Sequence, residues 1–120
     1  MKIAISCREK SMDSEVDARF GRAPYFCIYE TDDDSFEFID NQQTLNSPSG
    51  AGVQSAQNVV NAGVSALLTG HCGPKAFRAL TSAHIKVYTD VAGTVQEAVS
   101  ALRNNELSPS SAADVEGHWV

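Results

Sequence analysis

The chain predicts an α/β protein with a five-stranded mixed sheet, and three observations carry that expectation. Three β-type runs follow one another early, apolar runs and helical periods then alternate, and the connections between the later strands are helix-sized. At 120 residues with 42% hydrophobic and 20% charged composition, the chain has the length and apolar content of one domain. The expected division is a single α/β domain over 1–107 and a polar C-terminal tail over 108–120.

The first strand is KIAIS, 2–6, alternating around Ile3 and Ile5. No period runs through CREKSMDSEVDARFGRA, which reads as a long functional or covering loop. PYFCIYE at 24–30 and FEFID at 36–40 are β-rich, and the acidic turn Thr31–Ser35 between them makes a hairpin. After NQQTLNSPSG comes a helix over 50–62, with Val53, Ala56 and Val60 on one face, Ser49 available as its cap and Gly63 at its end. VSALLTG, 64–70, suits a strand covered on both faces. Pro74 opens a second helix with Ala76, Phe77, Leu80 and Ala83 on its apolar side. IKVYT, 85–89, is the last strand, and Thr94 with Glu97 forms a capping box ahead of Val95, Val99 and Leu102. The final residues, ELSPSSAADVEGHWV, read as a loose segment whose end folds back.

Antiparallel turns join strands one to three, whereas helical crossovers to strands four and five must be right-handed and parallel. The order 3-2-1-4-5, with strand two antiparallel to the rest and helices on both faces, satisfies both conditions. The chain then changes direction of growth between strands one and four. Open α/β sheets take ligands beyond the carboxyl ends of their strands at such a switch.

Composition narrows the function. A formal net charge of -6 argues against general nucleic-acid binding, which needs a basic stripe. No window offers the ~18 apolar residues of a membrane span, and the first residues read as a strand and not a signal peptide, which points to the cytoplasm. Cys7, Cys27 and Cys72 are three in number and far apart, an arrangement unsuited to a disulfide framework or a closed zinc site. There is no GxSxG, and the apolar central strands carry no paired acids for a two-metal nuclease. Binding or delivery therefore fits better than an enzyme.

Four loops should meet at the switch: the one starting at Cys7, the lead-in Arg19-Phe20-Gly21-Arg22, the segment Ser49-Gly50-Ala51-Gly52, and Gly70-His71-Cys72-Gly73. Two of them open helices, whose N-terminal amides and dipole favour an anion. Arg19, Arg22 and Lys75 add positive charge. Salt bridges from the arginines to Asp13, Glu15 or Asp17 are the plain alternative to anion contact. His71 and Cys72 offer an imidazole and a thiolate to a soft metal, and Cys7 facing Cys72 would make a redox pair or a shared ligand; the plain reading is a glycine turn with Cys72 as a small buried apolar residue. Cys27 reads as core.

The stretches MKIAIS, RFGRAPYFCIYE, SGAGVQSAQNVVNAGVSALLTGHCGPKAF and IKVYTDVAGTVQEAVSAL together resemble the dinitrogenase iron-molybdenum cofactor biosynthesis family, which includes NifX, the NafY core and the carboxyl-terminal part of many NifB proteins. The likeness covers roughly 1–107 and is strongest to the orange-protein branch, whose members carry a molybdenum-copper sulfide cluster. It implies a ribonuclease-H-like three-layer fold and noncovalent carriage of an anionic metal-sulfur cluster, either that one or another molybdenum or iron sulfide species. By position it implies Arg19, Phe20, Gly21, Arg22, Ser49, Gly50, Ala51, Gly52, His71 and Gly73 as the lining of the site, with His71, Cys72 and Cys7 as candidate metal ligands. Family members often have an apolar residue at the place of Cys72. Expected partners are the cluster and an ATPase or cluster-acceptor protein, with no nucleic acid and no membrane, and the chain is expected to be a monomer. The rival expectation is a regulatory interaction module that senses redox state through its thiols.

Overall fold

The structure, a computed structural model, describes residues 1–41 and 50–111. Its strands are β1 (Lys2–Cys7), β2 (Tyr25–Glu30), β3 (Phe36–Asp40), β4 (Ala66–Leu68) and β5 (Lys86–Tyr88), and its helices α1 (Ala51–Asn61), α2 (Pro74–Ser82) and α3 (Val95–Arg103). The sheet runs β3-β2-β1-β4-β5, the order expected from connection lengths. β2 is antiparallel to both β1 and β3, while β4 is parallel to β1 and to β5.

Strand alternation sorts the core into two layers. Ile3, Ile5 and Cys7 of β1 join Cys27, Tyr29 and Leu68 on one face, against Val95, Ala98 and Val99 of α3. Ala4, Phe26, Ile28, Leu67 and Val87 point to the other face, against Ala56 and Val59 of α1 and Ala76 and Leu80 of α2. Ile3, Ile5, Leu67 and Leu68 are wholly buried; each such side chain stabilises the fold by about 1.5–3 kcal/mol.

Three local expectations are refined. α1 buries Gly52, Ser55, Ala56 and Val59, a stripe displaced from the expected Val53, Ala56 and Val60, because its small residues lie against the 3-10 turn Phe20–Arg22. β4 is shorter than the run 64–70, since Thr69 and Gly70 already turn towards the segment after β5: Asp90 N–H donates to Gly70 O at 2.7 Å and Val91 N–H to Thr69 O at 3.1 Å. The start of the tail is also tied down. Ser110 N–H donates to Val87 O at 2.7 Å and its Oγ lies 2.6 Å from Thr89 Oγ1, which covers part of the outer edge of β5. Residues 112–120 lie outside the described ones. The capping box forms as expected, Glu97 N–H to Thr94 Oγ1 at 3.1 Å and Thr94 N–H to Glu97 Oε1 at 2.8 Å.

Candidate functional site

The carboxyl ends of β1 and β4 lie side by side, and the chain that leaves β1 returns to run between them. Cys7 pairs with Val16 in an isolated antiparallel bridge, and Asp17 N–H donates to Ser6 O at 2.9 Å. Below this, Ser6 Oγ lies 2.8 Å from Thr69 Oγ1 and donates to Asp17 O at 3.0 Å, so two buried hydroxyls tie β1, β4 and the returning chain together. Arg19 then pairs with His71 in a parallel bridge, and Phe20 N–H donates to His71 O at 3.1 Å.

That pairing is possible because residue 70 is glycine. A Cβ there would stand 2.6 Å from Ala18 Cα and from Ala18 O, closer than atoms tolerate. The expected turn role of Gly70 is thus also a packing role: it lets the Arg19 segment lie directly against the β4–α2 loop.

The 3-10 turn that follows buries Phe20 and Gly21 and leaves Arg19 and Arg22 exposed. The Phe20 ring sits 5.5 Å from the Phe26 ring, which anchors the turn to β2. A buried polar knot joins it to α1. Asn41 Nδ2 donates to Ala23 O and to Ser55 Oγ, both at 2.8 Å, Ser55 Oγ donates to Gly21 O at 3.5 Å, and Asn58 Nδ2 donates to Asn41 Oδ1 at 2.7 Å. Three of the four expected loops are therefore in contact: Arg19–Arg22, the start of α1 and the β4–α2 loop.

Electrostatically these loops share one property. α1 begins at Gly50, with φ of 85°, and α2 at Gly73, and among the described residues neither start carries a side-chain cap. Lys75 is exposed in the first turn of α2. Among the described residues no ion pair includes Arg19 or Arg22. Two of the three anticipated alternative partners are engaged otherwise: Glu15 faces Arg8 at 3.4 Å, and Asp17 Oδ1 accepts from the Arg19 backbone N–H at 3.0 Å. Two guanidinium groups and two helix starts thus form a local positive field on an acidic chain.

Ala51 is half-buried, Gly52 and Gly73 are buried, and His71 is half-buried with Cys72 wholly buried beside it. Ser49 lies outside the described residues, and the cap position expected for it belongs to Gly50. From the first turns of α1 and α2 a groove of about 480 Å³ runs between the helices, lined by Val53, Lys75, Arg78, Ala79 and Ser82. Arg78 and the groove were not visible in the sequence. Nor was the knot of Asn41 and Ser55, although a serine on the buried stripe of a helix is the kind of signal that betrays one.

The thiols are arranged otherwise than expected. Cys7 belongs to the α3 layer and Cys72 to the α1/α2 layer, so the sheet separates them and they neither face one another nor share a ligand position. The cause is parity, since Cys7 follows Ile3 and Ile5 at intervals of two. Cys7 has Cys27 as its neighbour, and burial pushes the two thiols up to about 11 and about 12. Thiols so disfavoured as thiolates make poor redox sensors. Among the described residues no group of three His, Cys, Asp or Glu side chains is placed to hold a metal ion, and no helix is long and apolar enough to cross a membrane.

The family model described as dinitrogenase iron-molybdenum cofactor matches residues 1–105. Among solved structures, the apo orange protein of Desulfovibrio gigas is 35% identical, with a TM-score of 0.90 over 95% of this chain and 96% of that one. An NMR structure from Thermotoga, assigned as a NifB protein, is 34% identical, with a TM-score of 0.79 over 97% and 98% of the two chains. A protein of Methanocaldococcus jannaschii at 22% identity and a TM-score of 0.71, over 93% and 96%, shares the fold. No curated protein matches. With nearly its whole length matched, and with the sheet order and helices of these neighbours, the chain belongs to the dinitrogenase iron-molybdenum cofactor family.

Proposed function

We propose that the protein binds and carries, without covalent attachment, an anionic metal-sulfur cluster, with a molybdenum-copper sulfide as the leading species and other molybdenum or iron sulfide precursors as the alternatives within that class. The observation that carries this reading is the Arg19–His71 bridge, which sets Arg19 and Arg22 beside the side-chain-uncapped starts of α1 and α2. Membership of the cofactor family and the likeness to the orange protein support it.

The chemistry is consistent with the donor set. A thiomolybdate-type cluster has its metals wrapped in sulfide and presents negative sulfur outward, so it calls for N–H donors and cations more than for ligands. The described residues supply those, and among them no group of three His, Cys, Asp or Glu side chains is placed to hold a metal ion. Such contacts break readily, as a carrier requires, and they perform no bond-making, so the role is binding and not turnover. Delivery then implies an acceptor protein or an ATPase partner, and the cationic groove of Lys75 and Arg78 adjoins the site where a partner would reach the cargo.

The test is reconstitution. Metal-free protein is incubated with tetrathiomolybdate and a copper salt, desalted, and measured for visible absorbance and metal content. Co-eluting colour with a fixed molybdenum-to-copper ratio supports the reading; colourless protein with scattered metal rejects it. Replacing Arg19 and Arg22 together by Ala should weaken retention by at least about tenfold, since each charge-assisted hydrogen bond contributes about 1.5–3 kcal/mol.

A further inference from the structure

The α3 face of the sheet holds a group of side chains that the cluster site does not use. Cys27 Sγ lies 3.8 Å from Met12 Sδ, in contact across the covering loop. Cys7 is on the same face: Cys27 is the partner of Ile5 and Cys7 the partner of Tyr25, which makes the two cysteines diagonal neighbours on antiparallel strands. Cys7 Sγ lies 3.6 Å from Tyr25 O. Both cysteines are wholly buried, and Met12 is half-buried, packed against the same layer.

We propose that Cys27 and Met12 form a second site, one for a single soft monovalent cation of the Cu(I) class, held between the Cys27 thiolate and the Met12 thioether, with Cys7 beside it keeping its proton on the Tyr25 carbonyl. Two sulfurs that each hold one ion at about 2.3 Å stand about 3.8–4.6 Å apart, by the geometry of metal–sulfur bonds. The Cys27–Met12 separation already falls in that range. Diagonal strand neighbours have Cβ atoms too far apart for a disulfide, whose Cβ atoms need about 3.8 Å, so Cys7 does not lock Cys27 away from an ion. All three cysteines are free.

Charge selects the ion. Binding exchanges one proton for one cation, Cys27–SH plus M⁺ giving Cys27–S–M plus H⁺, so the buried layer gains no net charge. With the Cys7 proton held on Tyr25 O, a divalent ion would leave an extra positive charge in an apolar layer, at a cost of several kcal/mol. Calcium and magnesium want oxygen ligands, and this cluster is sulfur. Soft thiolate and thioether donors select Cu(I). Met12, the part-exposed member, provides the way in.

This site does not depend on the cluster reading, because the sheet lies between the two, and its test uses neither molybdenum nor sulfide. The reduced full chain is titrated anaerobically with Cu(I), in competition with bicinchoninate, while the ultraviolet thiolate-to-copper band is followed. One equivalent is expected to bind. Met12→Leu and Cys27→Ser should each weaken it by more than about 100-fold, since even outer-shell changes at metal sites cost 10–100-fold. Cys72→Ser and the Arg19→Ala/Arg22→Ala double variant should leave it unchanged. Loss of all binding to the competitor overturns the proposal, as does loss in Cys72→Ser with retention in Met12→Leu. Should Cys27→Ser fail to fold, copper-edge X-ray absorption on the native chain decides: sulfur neighbours at about 2.3 Å sustain the site, and a nitrogen or oxygen shell refutes it. Cu(I) bound by a chain that stays colourless with tetrathiomolybdate would retain this site while rejecting the cluster.

Discussion

The two faces of the sheet treat their helices in opposite ways. On one, α1 and α2 begin at glycines with no side-chain cap, next to two arginines that make no ion pair among the described residues. On the other, α3 begins with a complete capping box, and the layer beneath it is apolar and sulfur-bearing. One fold thus has two helix starts without side-chain caps and one start whose amides its own side chains satisfy. A cap contributes about 1 kcal/mol to stability, so the two glycine starts give up a contribution that the start of α3 keeps.

Titration of the two thiols on the α3 face gives the largest expected effect. Cys7 and Cys27 have folded values raised to about 11 and about 12 from a reference of 9.0. The folded state therefore keeps protons that the unfolded chain loses above pH 9; the contribution is complete below pH 9 and declines as pH rises towards the folded values. The slope is about 1.4 kcal/mol per pH unit for each thiol. Urea melts from pH 8 to 11 should show a decline that a Cys7→Ala/Cys27→Ala variant shows much less of, while Cys72→Ala keeps the part due to Cys7 and Cys27. Equal slopes in all three proteins would remove the distinction.

Gly70→Ala attacks the join on the ligand face. The added methyl must move the Ala18 backbone, so we expect about 3 kcal/mol of destabilisation, at the upper end for overpacking. Cluster retention should fall further than stability alone explains, because Arg19 moves with Ala18. An alanine variant with native melting and full retention would show that the close approach is dispensable.

Asn41→Ala sharpens the contrast at a smaller scale. It removes the hydrogen bonds to the Ala23 carbonyl, to Ser55 Oγ and from the Asn58 amide and should cost about 2 kcal/mol, while loosening the 3-10 turn from α1. Hydrogen exchange at Phe20–Ala23 should quicken, and amides of α3 should not. Smallest of all, Thr94→Ala should lower stability by about 1 kcal/mol with no change in cluster retention. A loss of cargo there would mean that the two faces are coupled.

Much of this arrangement was legible in the residues themselves. Apolar runs and connection lengths gave the sheet order, and Thr94 with Glu97 marked the start of α3. Strand parity would also have placed Cys7 with Ile3 and Ile5, had the first strand been extended by one residue beyond Ser6. What could not be read was contact between distant polar groups. Ser6 with Thr69, and Asn41 with Ser55, are separated in sequence and carry no spacing rule, yet they hold the site together. The groove beside Arg78 depends on how closely α1 and α2 approach, which no periodicity encodes. The stripe on α1 shifted for the same reason, since Gly52 and Ser55 are chosen by what lies against them.

The hydrogen bonds of Ser110 along β5 have one more consequence. A sheet with two bare margins can add copies on both sides and grow without end. With β5 partly fenced, the described residues leave β3 as the more open margin, and that strand carries Glu37 and Asp40, the latter paired with Lys10 at 3.5 Å. Edge addition at β5 is thereby hindered, and a strand that approached β3 would meet a margin already carrying acidic side chains.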